Sequence, residues 1–448
     1  MYTYTRQLET RYDVDVCVIG GGPSGVAAAI AAARQGAKVM ILESQGFFGG
    51  AGTAALVPAF MQFSNGVNFM AGGIGYEVWQ RVCIPELRLS IRAEVLKRVY
   101  DDMVREAGID FLFFANVCDV ITRDGGIDAV VVAAKSGMYA VHAKMFVDGT
   151  GDGDICVWGG APFELGDPQT GHIMPSTLCS MWINIDWACG DTESVHGREW
   201  KFERVAQAVD DGVFTQEDYH LSGIWKTGEN TGGGNIGHCY NVDATDERSL
   251  TEAMLTGRHI IPEFEKFYRE YIGGCYKNSS VISSGSILGI RESRRIMCDY
   301  VLSESDFRPD SVFEDEIGRY SYPIDIHPDP GREAYRAFLA EHTSRHLGVG
   351  ESYGIPYRIL TPKNLSNVLV AGRCVSTDQK MQSSIRVMPG CYITGQAAGI
   401  AAALAANGEC DSRKVNITEL QDKLSKLGAY LPNYHKPVKK IRLKDILL

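Results

Sequence analysis

The first apolar run of the chain, Val16-Cys17-Val18-Ile19 after Asp15, is short, uncharged and rich in β-branched residues, the pattern of a strand buried on both faces of a parallel sheet. Gly20 to Gly22 break it as a turn. Ser24 to Arg34 follows as an alanine-rich helix closed by Gln35-Gly36, and Lys38 to Leu42 reads as a second strand ending on Glu43. Together they make a β-α-β unit of roughly 30 residues. Ile91 to Ala107 has helical periodicity and stops at Gly108. Asp110 to Ala115 and Val117 to Ile121 read as strands. After the turn Asp124-Gly125-Gly126, Val130 to Ala134 and Ala140 to Val147 read as a hairpin running into Asp148-Gly149-Thr150-Gly151.

From about residue 160 to 350 the β-α-β rhythm stops. Strand-like pieces such as Leu178 to Ile185 alternate with charged helices such as Glu247 to Tyr271. The first texture returns from Pro356, with the strand Val368-Leu369-Val370, the turn Ala371-Gly372-Arg373 and the small-residue helix Gly390 to Ala406. The pattern predicts an α/β fold. A Rossmann-like nucleotide-binding domain is split between residues 1–160 and 351–448, and an α+β substrate or cap domain, 161–350, is inserted into it.

Composition narrows the function. Apolar residues make up 45% and charged residues 22%, which excludes disorder, collagen and coiled coil for the whole chain. Forty-four basic against 55 acidic residues leave a net charge of −11, so neither nucleic acid nor an anionic membrane is expected as a partner. The basic tail Lys436 to Lys444 reads as a solvated surface patch. Two long uncharged stretches, Val16 to Ala33 and Val387 to Gly408, are interrupted by glycine, proline or amide residues and read as soluble core rather than as membrane spans. The 12 cysteines contain no C-x-x-C, which argues against zinc ribbons, thioredoxin-type pairs and iron–sulfur clusters. Buried free thiols in a cytoplasmic protein without a bound metal are the expectation.

Gly20-x-Gly22-x-x-Gly25 carries the first chemistry. Gly20 permits the tight turn, Gly22 the approach of a pyrophosphate, and Gly25 close packing of helix on strand, with Pro23 and Ser24 opening the helix whose N-terminus favours the anion. Glu43, with Ser44 beside it, ends the second strand 18 residues after Gly25 and would accept hydrogen bonds from ribose hydroxyls. A second match, Gly232 to Gly237, follows no strand and opens no apolar helix, so it reads as a loop.

Three further blocks carry a resemblance. They are Phe48-Gly49-Gly50-Ala51-Gly52; Asp148-Gly149-Thr150-Gly151-Asp152; and the C-terminal set Asn367 to Arg373, Ser384 to Pro389 and Gly395-Gln396-Ala397-Ala398-Gly399. With Gly289-Ile290-Arg291-Glu292-Ser293-Arg294-Arg295, the chain resembles the FAD-dependent oxidoreductases of the glutathione-reductase-like superfamily, related to the flavin subunit of heterodisulfide reductase without its iron–sulfur cysteines. The resemblance implies FAD as cofactor. It extends the cofactor-binding set to Gly49, Gly50, Ala51, Val117, Gly149, Thr150, Gly151, Asp152, Gly372, Arg373, Arg386, Gly395, Gln396 and Ala397, and it directs the N-terminus of the C-terminal helix at the flavin. The first histidine is His142, so covalent attachment through a histidine just after the second strand is not expected. No second credible Rossmann motif suggests a dedicated NAD(P)H domain.

Substrate-handling residues must then come from the insertion. Arg291 and Arg294 are candidates to hold a carboxylate or hydroxyls, or else to pair with acids across a domain interface. His327, in Ser321-Tyr322-Pro323-Ile324-Asp325-Ile326-His327, is the first candidate for general base or acid, and His238 the second. Arg386 could reach substrate or flavin. The expected activity is hydride transfer between the CH–OH of a small polar substrate (a polyol, sugar derivative or hydroxy acid) and non-covalent FAD. Reduction of an activated C=C bond, with Tyr322 as a possible proton donor, and an electron-transfer subunit needing a protein partner are the alternatives. The electron acceptor or donor is open, and a homo-oligomer is possible.

Overall fold

The computed structural model describes residues 1–190, 192–221, 223–341, 345–434 and 441–442. Of the basic tail Lys436 to Lys444, only Ile441 and Arg442 fall within this set; the rest lies outside the described residues.

The central sheet contains β1 (Thr10–Ile19), β2 (Val39–Leu42), β3 (Asp110–Leu112), β4 (Asn116–Arg123), β5 (Gly126–Ala134) and β6 (Gly137–Asp148), in the order β3-β2-β1-β6-β5-β4. β1, β2 and β3 are parallel, and β6 runs parallel to β1 along one edge. Along its other edge β6 takes β5 antiparallel near its start. Its last residues, Phe146 to Asp148, pair in parallel with Val368–Val370. The C-terminal segment thus re-enters the sheet begun by the N-terminal one. Every residue of β2 and of Val368–Val370 is buried, as the uninterrupted apolar runs imply.

Helix α1 (Pro23–Ala33) packs against the helix Met388–Gly408 through glycine. A Cβ on Gly395 would lie 2.3 Å from the Ser24 carbonyl oxygen, and one on Gly399 would lie 2.0 Å from that of Ala28. The long uncharged C-terminal stretch is therefore a core helix, buried along nearly its whole length. Among the described residues no single helix is long and apolar enough to cross a membrane.

A second core gathers around Trp182, Phe264, Phe267, Tyr268 and Tyr276. It lies on an antiparallel sheet in the order Ser280–Ser284, Ser180–Ile183, Thr231–Gly234, Ile224–Lys226. Two expectations change here. Gly232 to Gly234 are strand, not loop: side chains there would collide with Ile224, Pro58 and Trp182, so the glycines let three neighbours close over the strand. In addition, Cys189 and Cys275 form a disulfide within this half, whereas only free thiols were expected; ten cysteines are free. Ile296, Cys298, Leu302, Ile317 and Tyr320 pack into the core around the central sheet, so the chain rejoins that core well before residue 350.

Candidate active site

The carboxyl ends of β1 and β6 and the N-terminus of α1 meet at a glycine cradle. Gly20 has φ +89°, and a Cβ there would lie 2.7 Å from the Gly149 carbonyl oxygen. A Cβ on Gly25 would lie 1.8 Å from the Gly20 oxygen, so only glycine lets the helix start this close to the strand. Gly22 differs: its Cβ would meet nothing nearer than the Gly149 oxygen at 4.0 Å and would project into open space. Pro23 occupies the first turn of α1, where its missing N–H costs nothing. The Glu43 carboxylate accepts from the backbone N–H of Gly21 and of Gln45, both at 2.7 Å, and so fixes the turn against the end of β2. Asp148, fully buried, holds the second loop by accepting from the Thr150 hydroxyl at 2.7 Å and the Cys156 N–H at 3.1 Å. Arg373 pairs with Asp152 at 2.8 Å, while its Nη1 is buried without a partner.

The cradle opens into a cavity of about 610 Å³, within the usual range for small-molecule sites. Gly22, Gly50, Ala51, Gly149 to Asp152 and Arg373 line one part; Arg291, Tyr322, Asp325, His327 and Arg386 line another, with the first turn of the C-terminal helix, Met388 and Cys391, beside them.

Four groups form a chain at that second part. Asp218 Oδ1 lies 3.0 Å from His238 Nδ1, His238 Nε2 lies 3.0 Å from His327 Nδ1, and His327 Nε2 lies 3.4 Å from Asp325 Oδ2. The chain has three nitrogen-centred contacts, each needing one N–H, whereas two neutral imidazoles carry only two protons. Placing the missing proton at the longest of the three contacts, His327 to Asp325, has Asp218 accepting from His238 Nδ1–H and His238 Nε2 accepting from His327 Nδ1–H, with His327 Nε2 bare. A proton arriving there completes the last contact, to Asp325. Burial, and then the charge of Arg291, hold the His327 pKa well below the ordinary histidine value against the opposing pull of Asp325, so the imidazole rests neutral. Burial opposes the charge of Asp325, yet its pKa is held below the ordinary carboxylate value, with Arg386 as the permanent cation facing it. Asp218 is likewise held at about 2, with His238 overcoming burial. Burial and Asp325 raise Tyr322, whose hydroxyl donates to Asp325 at 3.1 Å.

His220 joins the cluster by stacking on His327, centroids 4.3 Å apart and planes at 15°. Ligand atoms of His220, His238 and His327 lie within 4.8 Å of one another, close enough to suggest a metal. The stacking argues otherwise. An imidazole binds a metal in the plane of its own ring, and two nearly parallel planes at this separation share no such point. The rings are arranged for hydrogen bonding and packing, not ligation.

Residues 15–424 match the family described as FAD dependent oxidoreductase. The chain belongs to that family. Its cofactor is FAD. A thiamine thiazole synthase of Pyrococcus horikoshii is 25% identical over 162 residues, 34% of this chain and 62% of that one. The mitochondrial dihydrolipoyl dehydrogenase of Schizosaccharomyces pombe is 27% identical over 156 residues, 33% of this chain and 30% of that one. The matches therefore span less than two thirds of either relative. Among solved structures, p-nitrophenol 4-monooxygenase of Pseudomonas putida superposes with a TM-score of 0.46 at 12% identity, covering 92% of this chain and 84% of that chain.

The residues present fit FAD. Open space above Gly22, the free N–H groups at the start of α1 and the orphaned Arg373 Nη1 make an anion cradle at the cavity wall. Pro23, Ser24, Gly50, Ala51, Gly149, Thr150, Gly151, Asp152, Arg373 and Arg386 all line the cavity. Gly20, Gly25, Gly49 and Gly372 shape the cradle from behind; Gly49 (φ +115°) packs on Thr53 and Tyr100, and Gly372 (φ +85°) on Ser24. Glu43 and Ser44 bond to each other at the β2 end.

Several expected roles change. Gln396 is not a cofactor contact: its Oε1 accepts from the Ile74 N–H and its Nε2 donates to the Gly72 oxygen, which anchors the loop before the helix Ile74–Val82. Gly395 and Ala397 are buried in the contact between α1 and the C-terminal helix. Val117 pairs with Val132 in the sheet, away from the cavity lining. Arg294 does not face substrate. It pairs with Asp154, donates to the Asp152 oxygen at 2.7 Å and lies over the Phe163 ring, taking the interface role that was its alternative. Arg291, His327 and Arg386 are brought together. Asp218, His220, Thr177 and Asn235 complete the site, and none was anticipated. The only sequence signals were that Asp218 and His220 flank Tyr219, and that Asn235 lies inside the misleading glycine run.

Proposed function

We propose that the protein oxidises the CH–OH group of a small polar substrate, a hydroxy acid, polyol or sugar derivative, with non-covalently held FAD as hydride acceptor. When bound, the flavin supplies a two-electron acceptor for the hydride leaving the substrate carbon. The hydroxyl proton goes to His327 Nε2, and the carbon–oxygen bond becomes a carbonyl, so two electrons and two hydrogens leave the substrate. The observation that carries this reading is the proton-short chain Asp218–His238–His327–Asp325, whose His327 and Asp325 line the same cavity as the nucleotide cradle. Asp325 then accepts the new N–H, and Asp218 balances the charge at the far end, as a general base requires. The kinship with the heterodisulfide reductase flavin subunit suggested by Arg291 to Arg295 forms part of the same proposal. Anaerobic mixing of the purified, FAD-loaded protein with a panel of hydroxy acids, polyols and sugar derivatives tests it. Bleaching of the flavin by at least one member, with the matching carbonyl product, is the expected result. No bleaching across the panel would defeat the reading.

A further inference from the structure

Among the described residues four arginines are buried, and three have a carboxylate. Arg294 pairs with Asp154, Arg295 with Glu292 at 2.6 Å, and Arg319 with Glu316 at 2.9 Å. Arg291, 6% exposed and lining the cavity, is the exception. Its guanidinium donates to the Pro175 oxygen and the Thr177 hydroxyl, each at 2.8 Å, and to the Asn235 amide oxygen at 3.1 Å. All three acceptors are neutral. They fix the direction of the guanidinium without cancelling its charge, and a buried cation left uncompensated is costly.

Arg386 adds a second cation at the same place. It reaches Asp325 Oδ2 at 3.2 Å, but Asp325 already serves Tyr322 and lies beside His327, and the Arg386 Nε is buried without a partner. We propose that Arg291 and Arg386 together bind the carboxylate of the substrate, so that the substrate is a hydroxy acid rather than a neutral polyol or sugar. This rests on the functional reading above and narrows it.

Two further features agree. Burial, and then Arg386, lower the Arg291 pKa to about 10, which marks two cations facing one cavity without enough negative charge between them. Arg291 is also the strongest charge depressing His327. A carboxylate seated on Arg291 would cancel that effect and raise the basicity of His327 when a substrate is in place.

Matched probes test the inference at equilibrium: lactate, lactamide and propane-1,2-diol, with gluconate, gluconamide and glucitol as a longer set. Each is titrated into the FAD-loaded protein, and the shift of the oxidised flavin spectrum is read before any bleaching. At least one acid should bind roughly 10- to 100-fold more tightly than its amide and its alcohol, the usual worth of charge-assisted bonds. Arg291→Gln and Arg386→Gln, each checked for retained flavin and an unchanged melting profile, should abolish the preference. Equal affinity for acid and neutral members, or no shift with either acid, would overturn the proposal. So would an Arg291→Gln protein that keeps its acid affinity and loses only affinity for sulfite, which adds to oxidised flavin and is favoured by positive charge beside it. That result would assign Arg291 to the cofactor. An acid that binds without bleaching leaves this inference standing while counting against oxidation.

Discussion

His238 Nε2 lies 3.0 Å from His327 Nδ1, and each ring turns its other nitrogen toward a carboxylate of its own, Asp218 for one and Asp325 for the other. With the missing proton at the His327–Asp325 contact, Asp218 sets the tautomer of a ring it does not touch. Its oxygens accept from the backbone N–H groups of His220 and His238 as well as from the imidazole. Asp218→Asn sets an amide NH₂ against one of these donors. The tautomer order should fail, and any hydroxy-acid-driven flavin reduction should slow by roughly 10²–10⁴ with FAD still bound. ¹⁵N NMR of histidine-labelled protein checks this directly: His327 should show a bare Nε2 in the native protein and lose that signature in Asp218→Asn.

Acid should weaken the contribution of the histidine–aspartate cluster to the fold in two windows. His220, lowered to about 3 chiefly by burial and then by His238, and His327, lowered well below the usual value, are neutral when folded, whereas the unfolded chain takes up their protons below its pKa of 6.5. Their neutral burial therefore costs nothing above that pH and destabilises increasingly below it. Asp218 and Asp325 have depressed pKa values, so their contribution is present above 3.8 and is lost as pH falls further. Asp154 and Glu316, raised by burial to about 7, act in the opposite sense, so the histidine contribution is read as a difference: the native protein should lose melting temperature relative to His220→Phe below about pH 6.5 and run parallel to it above pH 7. His220→Phe keeps the stacking on His327 and the tilted contact with Phe338, and thermal unfolding of the two proteins across pH measures that difference.

Two glycine substitutions should separate cofactor binding from packing. Gly22→Val fills the space above the cradle and touches little else, so it should give folded protein without flavin. Gly399→Ala drives a methyl into the Ala28 carbonyl and should lower stability and flavin content together. Flavin absorbance and circular dichroism melts on the two proteins distinguish these outcomes.

Thiol counting tests the one covalent departure from expectation. With Cys189 bonded to Cys275, ten thiols should titrate in denaturant without reductant and twelve after reduction. The bridge closes a separation of 86 residues, so reduction should cost roughly 2–4 kcal/mol of stability in the second core.

The nucleotide half was legible because its signals are local. Strand, glycine turn, helix and acid follow one another within the first 43 residues, and the close contacts of Gly20 with Gly149 and of Gly25 with Gly20 account for two of the three motif glycines. The half proposed to handle substrate was legible only in part, because its residues are assembled across the sequence: His238 and His327 are 89 residues apart, and Arg291 meets Thr177 across 114. Arg291 and Arg294 lie in an irregular segment leading into the two-residue strand Arg295–Ile296, so no helical or strand period tells which of the three arginines faces the cavity. The glycine-rich block of the C-terminal helix was misread at Gln396 for a related reason. Small residues signal close approach but not to what, and here they face α1 and the loop at Gly72 rather than the cofactor.

The account turns on His327 as acceptor of the substrate proton, and stopped-flow reduction of bound flavin in His327→Ala tests it most directly. The variant should retain FAD and its affinity for the acid that bleaches the native protein, while the reduction rate falls roughly 10²–10⁴-fold. An unchanged reduction rate with a substrate that bleaches the native protein would contradict the account.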